Sequence, residues 1–148
     1  MKISSRGRYA LRFLIDVAEN SGDGVFVSIK DVSKRQEISV KYLEQIAPYL
    51  VRNRLLRSVR GPSGGYMLSK PACRYTAGEI IRAAEGKLAP VACLDDKVNR
   101  CKRKNVCRTL DLWKNLQNII NEYLDSVSLA DLAGCKKKKR RIIKPKKV

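Results

Sequence analysis

Three cysteines, Cys93, Cys101 and Cys107, stand with seven and then five residues between them, among Lys97, Arg100, Lys102, Arg103 and Lys104. Thiolates are soft metal ligands, and nearby cations favour the thiolate over the thiol. Structural zinc usually shows cysteine pairs two residues apart and histidine partners. Here the spacings are wider and the chain contains no histidine, so zinc fits less well. An iron–sulfur cluster, of the 2Fe–2S or 4Fe–4S type, suits thiolates gathered from one aperiodic loop, although it normally takes four ligands. Free thiols stand beside it as the alternative. Cys73 and Cys135 lie apart from this group.

A second stretch invites a chemical reading. "GPSGGYMLSKP" (Gly61–Pro71) holds three glycines and two prolines. A phosphate-binding loop needs a strand, then glycines, then a helix opening on Lys-Ser/Thr. Here two β-prone runs, Leu55–Arg60 and Tyr66–Ser69, flank Gly-Pro-Ser-Gly-Gly instead, which predicts a hairpin whose glycines let the tip turn tightly and approach another backbone.

The elements around these stretches follow from periodicity and capping. After Ser4 and Ser5, Tyr9, Ala10, Phe13, Leu14, Val17 and Ala18 recur at helical spacing until "SGDG" (Ser21–Gly24) ends the run. Val25–Val27 is a short β-prone segment. Ser28, with Asp31 three residues on in the capping-box position, predicts a helix to about Arg35, and Ser39 caps another carrying Tyr42, Leu43, Ile46 and Leu50. Two short helices joined by a tight turn suggest a helix-turn-helix, and the hairpin directly after it suggests a wing. Thr76 and Glu79 form a second capping-box pattern for a helix ending near Gly86. A long helix is expected from about Thr109 to Val127 with two apolar stripes: Leu112, Leu116, Ile119 and Tyr123, and Trp113, Ile120, Leu124 and Val127. One stripe would cover its own domain and the other would meet a second chain, making a homodimer.

The net charge of +18 points to a polyanionic partner. Nine of those charges fall in the last thirteen residues, "KKKKRRIIKPKKV", so half remain on residues 1–135. The tail is expected to be disordered, because like charges repel and bury no core. No apolar run approaches the roughly 20 residues of a membrane span, and the start of the chain lacks a signal-peptide pattern, so a cytoplasmic protein with no membrane partner is expected.

The motifs "GRYALRFLIDVA" (Gly7–Ala18), "ISVKYLEQIAPYLVRNRLLRSVRGPSGGYMLSK" (Ile38–Lys70) and "CLDDKVNRCKRKNVC" (Cys93–Cys107) followed by "LDLWK" (Leu110–Lys114) resemble the iron–sulfur cluster regulator family of bacterial winged-helix repressors, in the Rrf-two superfamily. The resemblance implies a mainly α fold with a small β-hairpin: a winged helix-turn-helix over 1–86, a cysteine loop over 87–108, a dimerisation helix over 109–134, and the basic tail over 135–148. It implies a dimeric regulator, most simply a repressor of iron–sulfur assembly genes, with nitric-oxide or iron sensing as the alternative.

A recognition helix enters the major groove of double-stranded DNA N-terminus first. The DNA-facing set is therefore Ser28, Ser39, Lys41, Tyr42, Glu44 and Gln45, with Arg60, Ser63 and Gly64 in the wing. Gln45 suits an adenine edge, and Glu44 accepts, as from a cytosine amine. The resemblance assigns operator discrimination to Glu44 and minor-groove contact to Arg60, where a narrow groove concentrates negative potential.

The sequence departs from the family at the fourth cluster ligand. Leu110 stands where a histidine is expected, and Arg8 where some relatives supply an aspartate from the partner chain. Asp95, Asp96, Asp111, Cys73, Cys135 and an exogenous group remain as candidates. Two other classes fit poorly. Nine unclustered aromatic residues offer no stacking platform for RNA, and no histidine or paired carboxylates suggest an enzyme.

Overall fold

A computed structural model describes residues 2–22 and 24–134; Cys135 and the basic tail lie outside the described residues. The Ser4 hydroxyl accepts the Arg6 N–H and opens α1, Ser5–Asn20. Helix α2 spans Ile29–Gln36 and starts at Ser28, whose hydroxyl accepts the Asp31 N–H. Glu37, in the left-handed region with φ 53°, stops it and leads through buried Ile38 to Ser39. Ser39 accepts the Tyr42 N–H and begins α3, Val40–Arg52. Both helices of the expected helix-turn-helix thus begin on the residues whose side chains can satisfy a free backbone N–H.

Strands β1 (Leu56–Val59) and β2 (Gly65–Leu68) pair antiparallel, from Leu56 opposite Leu68 to Val59 opposite Gly65. The expected strand at Val25–Val27 shrinks to one bridge, Val27 to Tyr66. Helix α4 covers Ala77–Glu85. The expected capping box there is half formed. The Thr76 hydroxyl accepts the Glu79 N–H at 3.0 Å, but the Glu79 carboxylate turns to the Lys70 ammonium at 2.8 Å. A reciprocal box forms instead at Ser128 and Asp131, opening the short α6, Leu129–Leu132.

Helix α1 runs through the centre, packing on α2, α3, α4, α6 and β2. Phe13, Leu14 and Val17 meet Leu43, Ile46 and Leu50 of α3, Leu55 and Leu56 at the root of the wing, Tyr75, and Leu129 from the C-terminal segment, all essentially inaccessible. The stretch after residue 109 therefore contributes to the same core as the N-terminal helices. Helix α5, Leu110–Ser126, lies against α4. Its two stripes part company as expected. Trp113, Ile120, Leu124 and Val127 are half-buried, whereas Leu112, Leu116, Ile119 and Tyr123 are exposed, by 58%, 38%, 63% and 66%.

Candidate nucleic-acid interface and cysteine loop

Burial of Leu43, Ile46, Ala47 and Leu50 turns the opposite side of α3 outward, and Lys41, Glu44 and Gln45 are exposed there beside the cap residue Ser39. Tyr42 is half-buried, its ring edge-on to Tyr9 at 5.4 Å. The sequence reading placed Tyr42 both on the apolar face of this helix and in the DNA-facing set; its ring packs between α3 and α1.

The wing turns at Arg60–Gly64, where Gly61 has φ 111° and accepts the Gly64 N–H at 2.9 Å. A Cβ on Gly64 would collide with the Val59 carbonyl, and one on Gly65 with the Val27 carbonyl. The glycines therefore serve close backbone approach, as the hairpin reading expects. Arg60 and Ser63 are exposed at the tip.

One open groove runs between α3 and the wing, and Ser28, Lys30, Glu44, Arg60, Gly64 and Tyr66 are among its lining residues. Ser28, Glu44, Arg60 and Gly64 are thereby brought together. Lys30 and Tyr66 were not singled out from sequence; the first is an ordinary helix lysine until α2 is placed against the wing. The Tyr66 phenol is held above its ordinary pKa by burial and, secondarily, by the charge of Glu44. Gln45 lies elsewhere, in a shallow cleft with Ser4, Arg6, Tyr42 and Tyr49. There the Arg6 guanidinium sits 5.3 Å from the Tyr49 ring centre. Ser39, Lys41 and Ser63 stand outside both hollows. A basic α1 start ("SSRGR") was the available signal for Arg6.

Residues 87–109 contain a single 3₁₀ turn, Ala92–Leu94, and otherwise local turns such as Lys104 N–H to Cys101 O and Val106 N–H to Arg103 O. An exposed Lys87–Asp96 pair at 2.6 Å fastens the start of the loop, a contact of small energetic weight in water. Cys93 and Cys107 are half-buried and Cys101 is exposed; all are free thiols, as is exposed Cys73. The Cys107 thiol is held below its ordinary pKa, first by its hydrogen bond with the Thr109 hydroxyl. The charge of Arg103 adds a smaller contribution in the same direction.

Three thiols without histidine are a donor set that suits an iron–sulfur cluster. Their placement is another matter: among the described residues no three Cys, Asp or Glu side chains converge on one point. Of the fourth-ligand candidates, Asp96 is paired with Lys87, Asp111 faces Lys114 at 3.9 Å, and Asp95 is exposed. Leu110 is half-buried at the start of α5, and Arg8 donates to the Ser5 hydroxyl on α1.

The family described as Rrf2, iron-dependent transcriptional regulator, matches residues 3–134. The chain belongs to the Rrf2 family. Its Rrf2 relatives include the HTH-type transcriptional regulator IscR of Yersinia pseudotuberculosis serotype O:1b, 40% identical over 134 residues that cover 90% of this chain and 80% of that protein. The solved structure of CymR, the global cysteine regulator of B. subtilis, superposes with a TM-score of 0.72 at 36% identity, covering 93% of this chain and 99% of that one. T. potens IscR superposes at 0.71 with 32% identity, covering 91% and 88%. This Rrf2 chain is thus a winged-helix transcriptional regulator, its relatives carrying regulator rather than enzyme names, and transcriptional control through DNA is the family's common activity. Among the described residues no helix is long and apolar enough to cross a membrane.

Proposed function

We propose that this protein is a homodimeric repressor whose affinity for a double-stranded operator depends on an iron–sulfur cluster held by Cys93, Cys101 and Cys107, and that it controls iron–sulfur assembly genes. The observation that carries the reading is the position of the thiols. They occupy the irregular segment between α4, which packs in the core with α1 and α3, and α5, whose outer apolar stripe is exposed. A cluster there would supply soft-ligand bonding that closes the loop, and metal binding of this kind is coupled to the folding of its ligands.

The chain's own residues supply the rest. Lys41 and the Ser39 hydroxyl meet phosphates, Gln45 and Glu44 face base edges, and Arg60 enters the minor groove from the wing. Ser28 and Lys30 flank the groove between them. The exposed stripe of α5 pairs with its copy, so two recognition helices address two half-sites.

Protein purified without air should show visible absorption together with iron and sulfide, and Cys101→Ala should lose all three while changing operator affinity. Wild-type protein free of iron and sulfide under those conditions would overturn the cluster reading. A second reading, a metal-free thiol regulator, is favoured by the separation of the three thiols and by the lowered pKa of Cys107. It requires the opposite assay result, operator affinity changing with cysteine oxidation in iron-free protein.

A further inference from the structure

Tyr75 sits between the wing and the C-terminal helices and is fully buried. Its hydroxyl is saturated by wing-root backbone. It accepts the N–H of Ser69 at 2.8 Å and of Lys70 at 2.9 Å, both just after β2, and donates to the carbonyl of Leu55 at 2.9 Å, just before β1. Both ends of the hairpin are therefore tied by one oxygen. Lys70 closes the site from outside, its ammonium 4.6 Å from the Tyr75 ring centre and paired with Glu79.

The backbone of the same residue faces the other way. The Tyr75 carbonyl accepts the Leu129 N–H at 3.0 Å, and Ala77 N–H reaches the Val127 carbonyl at 2.8 Å, with Thr76 and Ser128 bridged antiparallel between them. Thr76 and Arg82 both donate to the Asp125 carboxylate on the last turn of α5. The α5–α6 junction is thus stitched to the segment that carries Tyr75. A two-stranded hairpin is marginal alone, so its orientation comes from what holds it: the Val27–Tyr66 bridge at β2 and the Tyr75 hydroxyl at its root.

We propose that Tyr75 is the positioning residue that fixes the wing, and that it sets the wing's orientation from the α5–α6 junction. The inference rests on the reading of the wing as a DNA contact and adds what governs its placement. Removing the hydroxyl leaves the partly buried Lys70 N–H without a partner and reduces the Ser69 N–H and the Leu55 carbonyl to their own 3.3 Å bond, a loss on the scale of one net hydrogen bond. A wing with a loosened root would still fold but would present Arg60 over a wider range of positions.

Tyr75→Phe conserves the ring and tests this directly. Operator affinity should fall by about tenfold, the scale of one net hydrogen bond lost in a buried site. In an Arg60→Ala background the same substitution should cost less than about twofold, whereas with Gln45→Ala the losses should multiply. Amide exchange at Ser69 and Lys70 should accelerate while that of α3 stays unchanged. Ser128→Ala, which removes the cap of α6 without touching the wing, keeps the test alive if Tyr75→Phe does not fold: it should also speed exchange at Ser69 and Lys70 and weaken operator binding. Multiplicative losses with Arg60→Ala, or unchanged exchange at Lys70 in Ser128→Ala, would overturn the proposal. If Arg60→Ala alone leaves operator binding unaltered, the wing's role in DNA binding fails, and the exchange measurements still decide whether Tyr75 holds the hairpin.

Discussion

The Asp16 carboxylate on α1, 1% exposed, accepts from the Arg35 Nη2 at 2.6 Å and Nε at 3.0 Å, at the last turn of α2. Gln36 Nε2 donates to the same carboxylate at 3.0 Å, and the guanidinium of Arg12 reaches back to Gln36. This pairing raises the hold of Arg35 on its proton. It pins the end of α2 one residue before Glu37 turns the chain toward the recognition helix.

Asp16→Ala should therefore destabilise the fold by about 2 kcal/mol, less than a fully buried ion pair because the arginine is partly hydrated. Asp16→Asn, which retains an acceptor, should recover part of the loss. Urea unfolding midpoints of the two variants check the order; equal losses would mean that charge alone matters.

Glu85 offers a second local test. Its Oε1 accepts the backbone N–H of Ser4 and of Gly7, both at 2.9 Å, so the end of α4 caps the start of α1. A Cβ on Gly7 would lie 2.5 Å from that oxygen. Gly7→Ala should displace Glu85 and cost about 1 kcal/mol, the usual value of a lost cap, despite the better helix propensity of alanine. A gain in thermal midpoint would show that Glu85 relaxes freely.

At the wing, Arg60→Ala should weaken operator binding by about 1–3 kcal/mol, the scale of a groove contact. Electrophoretic titration of operator and random duplexes separates two outcomes. Selective loss marks groove reading, while equal loss marks a phosphate contact only. Gly64→Ala should mimic it without touching any charge, because its Cβ would meet the Val59 carbonyl and reshape the turn.

On α5, Ile119→Glu places a charge in the middle of the exposed stripe, where Ile119 is 63% accessible. Burying an isoleucine is worth about 2 kcal/mol, and a twofold interface would hold two, so the dimer should dissociate about a thousandfold more readily. Sedimentation equilibrium reads the change. An unaltered oligomer would place the interface elsewhere.

Much of this architecture is written locally. Helix starts at Ser4, Ser28, Ser39 and Thr76 follow from hydroxyls that reach an N–H two or three residues ahead, and the hairpin follows from glycines between β-prone runs. Those signals act within one turn of chain, so sequence spacing displays them. The basic charge and the thiol donor set are likewise properties of composition. Other features depend on where whole elements come to rest. Both stripes of α5 are equally apolar in sequence, and only docking on α4 decides that Trp113 turns inward and Ile119 outward. Glu79 stands in the capping-box position of its own helix but takes the Lys70 ammonium, because a charge partner outcompetes a neutral donor once the wing is placed beside it. Glu85 caps a helix 81 residues away at Ser4, and Tyr75, one more buried aromatic by its type, finds its three hydroxyl partners only when the hairpin closes. Spacing brings Cys93, Cys101 and Cys107 into one loop, yet among the described residues they form no group that could hold a metal, because a loop without a core sets no common centre for them.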